Sequence, residues 1–176
     1  GTMLAGILNG LEDGETCVSV LLMPSNVAES LEDLFFFTKS GMIKRTALSE
    51  YAVRRSKVAA TGLAKNDEVV CVKTLKAQDD IYCLTQKGML IRFSEDEVSP
   101  TGRVTRGVKA IRLVPKDFLL TAGGIQDSDA LVLISERGYM KRVPGKMIDS
   151  QRRAGKGVHS FYFNKNGSNG SFIAAS

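Results

Sequence analysis

The residues best suited to chemistry in this 176-residue chain lie in three basic loops, each opening on an acid and leading to a glycine and an apolar strand. They are Glu50-Tyr-Ala-Val-Arg-Arg-Ser-Lys57 leading to Gly62-Leu63, Glu97-Val-Ser-Pro-Thr-Gly-Arg-Val-Thr-Arg106 leading to Gly107-Val108, and Asp149-Ser-Gln-Arg-Arg-Ala-Gly-Lys156 leading to Gly157-Val158. Guanidinium groups fork onto paired phosphate oxygens, and ammonium groups supply compact positive charge. Arg54, Arg55 and Lys57, then Arg103, Arg106 and Lys109, then Arg152, Arg153 and Lys156 are therefore candidates to grip phosphates. Gly155 and Gly157 would let backbone approach such a group closely. Lys44, Arg45, Arg92, Lys141 and Arg142 form a second tier, and for its arginines ion pairing with an acid of a neighbouring unit is the competing role.

Catalytic chemistry finds little support. His159 is the single histidine, which excludes a histidine-rich metal site and weakens any triad. Gly155-Lys156-Gly157 resembles part of a phosphate loop, but the full spacing with a following Ser or Thr is missing. Carboxylates recur at turn and loop-start positions, so no unique acid–base pair emerges. Cys17, Cys71 and Cys83 are too far apart for a CxxC motif; they read as small buried hydrophobes in a reducing compartment. No cofactor is expected.

Charge is segregated along the chain. Residues 1–34 carry six acids and no Lys or Arg; the rest holds all 24 basic residues and 19 − 6 = 13 acids, a balance of +11. Such a basic surface suits a polyanionic partner. A hydrophobic fraction of 43% is enough for a core, and no run reaches the roughly 18 apolar residues of a membrane span.

The elements that must position these loops repeat. Leu34-Phe-Phe-Phe-Thr-Lys-Ser-Gly-Met-Ile-Lys-Arg45, Ile81-Tyr-Cys-Leu-Thr-Gln-Lys-Gly-Met-Leu-Ile-Arg92 and Leu131-Val-Leu-Ile-Ser-Glu-Arg-Gly-Tyr-Met-Lys-Arg142 share one pattern, at offsets of 47 (81 − 34) and 50 (131 − 81). Each reads as an apolar strand, a glycine-ended turn and a second strand, preceded by Asp33, Asp80 or Asp129. Closing strands are expected over Glu68–Val72, Phe118–Ala122 and Ser171–Ala175. Four strands per unit and a period near 50 predict an all-β, propeller-like array. Residues 3–30 read as part of a further unit, with Gly6-Ile7 starting it, Asp13 in a turn and Thr16–Leu22 as its closing strand. Met23–Glu32 then forms a linker with a short helical turn. The full blades are expected over residues 31–79, 80–128 and 129–176.

The Thr/Ser-x-x-Gly-x-x-x-Arg hairpins followed by basic glycine loops resemble the C-terminal domain of bacterial type IIA topoisomerase A subunits, those of DNA gyrase and of topoisomerase IV. Gln151-Arg-Arg-Ala-Gly-Lys-Gly157 is close to the gyrase A box, from which Ala154 departs, and this adds Gln151 to the candidates. The resemblance implies a β-pinwheel of three blades and part of a fourth, whose blades exchange strands and whose basic outer edge wraps double-stranded DNA. It further implies a non-catalytic module of a cytoplasmic, ATP-dependent enzyme, working with the remaining A-subunit domains and the ATPase B subunit. The family's catalytic tyrosine, ATP site and metal-binding region lie outside this domain. In gyrase the box sits in the first blade and here in the last, so gyrase and topoisomerase IV both remain open.

Two other classes also remain open at the level of sequence. One is a propeller-type scaffold binding a protein through its ring face. The other is an RNA-binding β domain, for which no aromatic stacking platform recurs.

Overall fold

In a computed structural model, which describes residues 14–55, 57–76 and 78–174, the repeat becomes a row of β-sheets stacked face to face. The strands are β1 (Asp33–Thr38), β2 (Met42–Ala47), β3 (Val69–Lys73), β4 (Asp80–Thr85), β5 (Met89–Ser94), β6 (Val108–Lys109), β7 (Leu119–Ile125), β8 (Ala130–Ile134), β9 (Met140–Pro144) and β10 (Val158–His159). Each twelve-residue unit forms an antiparallel hairpin, β1–β2, β4–β5 or β8–β9. Gly41, Gly88 and Gly138 end the hairpin turns at φ near +80°, a conformation that glycine adopts without the clash a Cβ would meet. The linker carries the expected helical turn, a 3-10 segment at Val27–Glu29.

Two sheets have four strands, in the orders β3-β1-β2-β6 and β10-β5-β4-β7. In each, three neighbouring strands come from one repeat and an outermost strand comes from the next. β6 of the second repeat pairs with Met42 and Ile43, and β10 of the third pairs with Met89 and Leu90. Strand exchange thus links successive blades, as the resemblance implies.

Strand alternation explains the cores. Phe35 and Phe37 of β1 project into a cluster with Ile81, Cys83 and Phe93 of the second blade, sealed by Ala110 and Ile111. Leu84 and Leu90 point the other way, to Leu133, Ile148 and Phe161. Because both faces of β1 and β4 are covered, their sequences read as continuous apolar runs. Burying one such side chain contributes roughly 1.5–3 kcal/mol, so blade-to-blade contact dominates the stability.

Several expected strands differ. Residues 15–24 form no strand, although Leu21 packs against Leu34, Phe36 and Leu48. Gly6, Ile7 and Asp13 lie outside the described residues. Among the described residues, only a bridge between Ser135 and Ile173 represents the third closing strand, whose expected last residue, Ala175, lies outside them. Gly62-Leu63 forms no strand either, because it is not the counterpart of Gly107-Val108. Asn66 and Lys116 share a left-handed backbone at φ 64 and 59. Next to them, Asp67 accepts from the Ser40 amide and Asp117 from the Lys87 amide, so the true equivalents are 50 residues apart (116 − 66). Val58 therefore corresponds to Val108 (108 − 58 = 50), and the first loop is the shorter one.

Candidate nucleic-acid interface

The exchanged segments carry the basic loops. The first begins where Thr101 N–H donates to the Arg45 carbonyl (2.8 Å) and ends where Ala110 N–H donates to the Gly41 carbonyl (2.8 Å). The second repeats this from Gln151 on Arg92 (2.8 Å) to Ser160 on Gly88 (2.9 Å). Residues 101–110 thus run along the outer edge of β2, and residues 151–160 along the outer edge of β5. Basic residues recur at two equivalent positions on the rims of successive blades, Arg103 with Arg153 and Arg106 with Lys156, each pair 50 residues apart (153 − 103).

Glycine makes this close approach possible. A Cβ on Gly107 would collide with the Ile43 carbonyl oxygen, and one on Gly157 would lie 2.5 Å from that of Leu90, each at a φ above +70°. Gly157 therefore seats the exchanged strand, in addition to the phosphate approach expected of it. Gly155 accepts from the Arg112 amide (2.8 Å), tying the third loop to the second repeat.

The candidate side chains fall into distinct groups. Arg54, Arg55, Arg106, Lys109, Arg152 and Lys156 are exposed and make no ion pair among the described residues. Lys57 is exposed and pairs with Glu15 at 3.0 Å. Lys141 and Arg142 are exposed on β9; Lys141 Nζ donates to the Ser160 carbonyl at 2.6 Å. Gln151 is half-buried at the start of its loop.

Others are engaged within the fold. Arg45 Nε bonds Asp33 Oδ2 at 2.6 Å across the ends of its hairpin. Arg92 repeats this with Asp80 at 2.7 Å, and its Nη1 reaches Asp127 (2.7 Å) and the Gly145 carbonyl (3.0 Å). Burial opposes the Arg92 charge, but the hydrogen bonds to Asp127 and Asp80 outweigh it and hold its pKa above the ordinary arginine value. Arg45 and Arg92 are thus ion-paired, but with an acid of their own hairpin rather than of a neighbouring unit, Arg92 also with Asp127 on the turn after β7; Arg142 makes no ion pair among the described residues. Asp33 and Asp80, which the sequence marks only as turn residues at the strand entrance, are the partners that sequence reasoning missed. Arg153 is half-buried, donating to the carbonyls of Glu97 (3.1 Å) and Lys109 (2.5 Å).

Lys44 is buried, with 2% of its surface exposed. Its ammonium donates to the Ala60 carbonyl (3.0 Å) and to that of Arg103, and lies 4.8 Å from the Phe36 ring centre. Burial, reinforced by Arg103, lowers its pKa to about 8. The half-buried Arg103 leaves its Nε without a partner among the described residues. Arg112, which no loop pattern singled out, is exposed beside the third loop; its position one residue after Ile111 on the exchanged segment is the signal that points to it.

Among the described residues, no group of three or more His, Cys, Asp and Glu side chains is placed to hold a metal ion. No helix among them is long and apolar enough to cross a membrane.

Comparison with known proteins agrees with this architecture. The model of the family described as DNA gyrase C-terminal domain, beta-propeller, matches residues 32–74, 79–123 and 129–169. The DNA gyrase A subunit of Lawsonia intracellularis is 36% identical over 167 residues, covering 92% of this chain and 20% of that protein. The DNA topoisomerase 4 A subunit of Bacillus subtilis is 37% identical over 127 residues, covering 71% of this chain and 16% of that protein. The chain therefore spans a fifth or less of the length of these relatives. A crystal structure of the C-terminal domain of DNA topoisomerase IV superposes with a TM-score of 0.88 at 27% identity, over 99% of this chain and 54% of that one. The DNA gyrase A C-terminal domain shares the fold at a TM-score of 0.80 and 24% identity, over 98% of this chain and 57% of that one. With its three repeats each matched in register, the chain belongs to the DNA gyrase C-terminal domain family of β-propellers.

Proposed function

We propose that this domain binds double-stranded DNA without sequence preference and bends it along the blade rims, as a non-catalytic part of a type IIA topoisomerase. The observation that carries the reading is the placement of Arg106 and Lys156 at equivalent positions of the exchanged segments of successive blades (156 − 106 = 50), with Lys109 and Arg152 on the same segments, all four exposed and outside any ion pair among the described residues. Arg54 and Arg55 extend the row, and Lys57 joins it by releasing Glu15. Each phosphate contact displaces condensed counterions, so affinity falls steeply with salt. Such contacts set position but do not read bases. A curved row of them offsets the roughly 1–6 kcal/mol needed to bend a 20–30 base-pair site by 40–90°.

The parent would be a cytoplasmic bacterial enzyme, with the rest of the A chain performing strand passage and the B chain hydrolysing ATP. The gyrase assignment, in which wrapping supports supercoiling, rests on the similarity of Gln151–Gly157 to the gyrase A box. The topoisomerase IV alternative draws on the higher structural similarity to that domain. Reconstituted holoenzyme with and without this domain decides between them. Loss of supercoiling alone supports gyrase, and loss of decatenation supports topoisomerase IV. A protein-binding scaffold would instead show no salt-dependent affinity for duplex DNA.

A further inference from the structure

The second and third basic loops are fastened to the blades beneath them in different ways. On the second blade, Ala154 N–H donates to the Ala110 carbonyl at 2.8 Å. Arg153 folds its guanidinium inward, onto the carbonyls of Glu97 (3.1 Å) and Lys109 (2.5 Å). On the first blade the carbonyl equivalent to that of Ala110 belongs to Ala60, 50 residues earlier (110 − 60). It accepts instead from the Lys44 ammonium at 3.0 Å and the Tyr51 hydroxyl at 2.8 Å. Arg103, the equivalent of Arg153, bonds neither counterpart carbonyl, and its buried Nε has no partner among the described residues.

Two residue choices account for the difference. Lys44 and Tyr51 stand where the second blade has Ile91 and Val98, each 47 residues on (91 − 44, 98 − 51). Ile91 and Val98 are buried and apolar, so they leave the carbonyl to the loop backbone. Lys44 and Tyr51 claim it, and Lys44 also donates to the Arg103 carbonyl. The loop is thereby held at the backbone of residue 103. Its guanidinium meets a like charge beside Ala59, the counterpart of Lys109, and is repelled from the position that Arg153 takes. The repulsion is mutual: burial first, then the Arg103 charge, lowers the Lys44 pKa to about 8, which still leaves the ammonium charged at pH 7.

We infer that Lys44 is a positioning residue for nucleic-acid binding, pinning the second loop by its backbone and keeping the Arg103 guanidinium off the fold so that it takes a phosphate. The inference rests on the DNA-binding reading above. A buried donor without a partner is unfavourable, so the Arg103 side chain is stabilised by turning out to a phosphate oxygen, which accepts strongly from a guanidinium. Arg153, already satisfied by two carbonyls, has no such drive. Equivalent arginines on successive rims thus differ in role because of a residue beneath one of them.

Duplex-DNA titrations of the whole 176-residue chain across a salt series at pH 7 test this. Arg103→Ala and Lys44→Met should each flatten the slope of log affinity against log salt by about 0.9, the loss of one phosphate contact. The double variant should be no flatter than either single one, because Lys44 acts through Arg103. Without DNA, exchange of the Arg103 Nε–H, followed by NMR, should slow in Lys44→Met as the guanidinium folds inward. If Lys44→Met does not fold, Lys44→Gln takes its place. A wild-type chain with no salt-dependent affinity removes the DNA reading and this inference together. A normal wild-type slope that neither variant changes removes this inference alone. Further flattening by Lys44→Met in the Arg103→Ala background also overturns it, since Lys44 would then act by its own charge.

Discussion

Arg152 and Arg153 are adjacent and identical in type, yet the fold gives them opposite surroundings. Arg153 spends its guanidinium on the Glu97 and Lys109 carbonyls, while Arg152 is exposed. Hydrogen bonds from a charged donor contribute about 1.5–3 kcal/mol, and Arg153 is only half-buried. Arg153→Ala should therefore lower unfolding stability by about 1–2 kcal/mol and leave the salt dependence of DNA binding intact. Arg152→Ala should do the reverse, and denaturant melts beside fluorescence titrations check both. Lys44 makes a pH-dependent prediction. Its pKa is about 8 in the folded chain against the ordinary lysine value of 10.5, so between these values the unfolded chain binds the extra proton and stability rises with pH. Lys44→Met, which makes the site resemble Ile91 of the second blade, should remove that rise in denaturant midpoints measured from pH 7 to about 10.5.

Elements were legible in the sequence in proportion to their length. The hairpins could be read because a five- or six-residue strand, a glycine turn and an arginine recur together. The exchanged strands β6 and β10 have only two residues each, too few to carry a period; the glycine and apolar residue after the loop marked where they start, at Gly107-Val108 and Gly157-Val158, but not which hairpin they join. Gly62 misled for a related reason. The first loop is short, with Val58 13 residues beyond Arg45 (58 − 45) and Val108 16 beyond Arg92 (108 − 92), and a nearby glycine took the place of the true counterpart. The candidate site was legible as composition but not as role, because an arginine in a basic run looks the same whether it faces a carbonyl or solvent. At this scale, Gly107→Ala and Gly157→Ala should each cost about 1–3 kcal/mol through strain at positive φ, with more from collision against the adjoining strand. Either should weaken cooperativity between blades in thermal unfolding monitored by hydrogen exchange at β2 or β5.

For the whole molecule, the repeated hairpin is a scaffold and the exchanged segment is the proposed DNA-binding surface. Stacking buries both faces of β1 and β4, fixing the spacing between blades, and strand exchange carries the second and third basic loops onto the preceding blade's rim. On the proposed function, the curvature of the DNA path would be set by the same contacts that hold the fold together. The central claim is that Arg106, Lys109, Arg152 and Lys156 supply phosphate contacts. Its most direct test is the slope of log affinity against log salt for duplex DNA, compared between the wild-type chain and a variant with all four replaced by Ala. Each lost contact should flatten the slope by about 0.9, so the variant should show a slope smaller by about 3–4, with equal loss on unrelated sequences. An unchanged slope in a variant that folds and melts like the wild type would contradict the account.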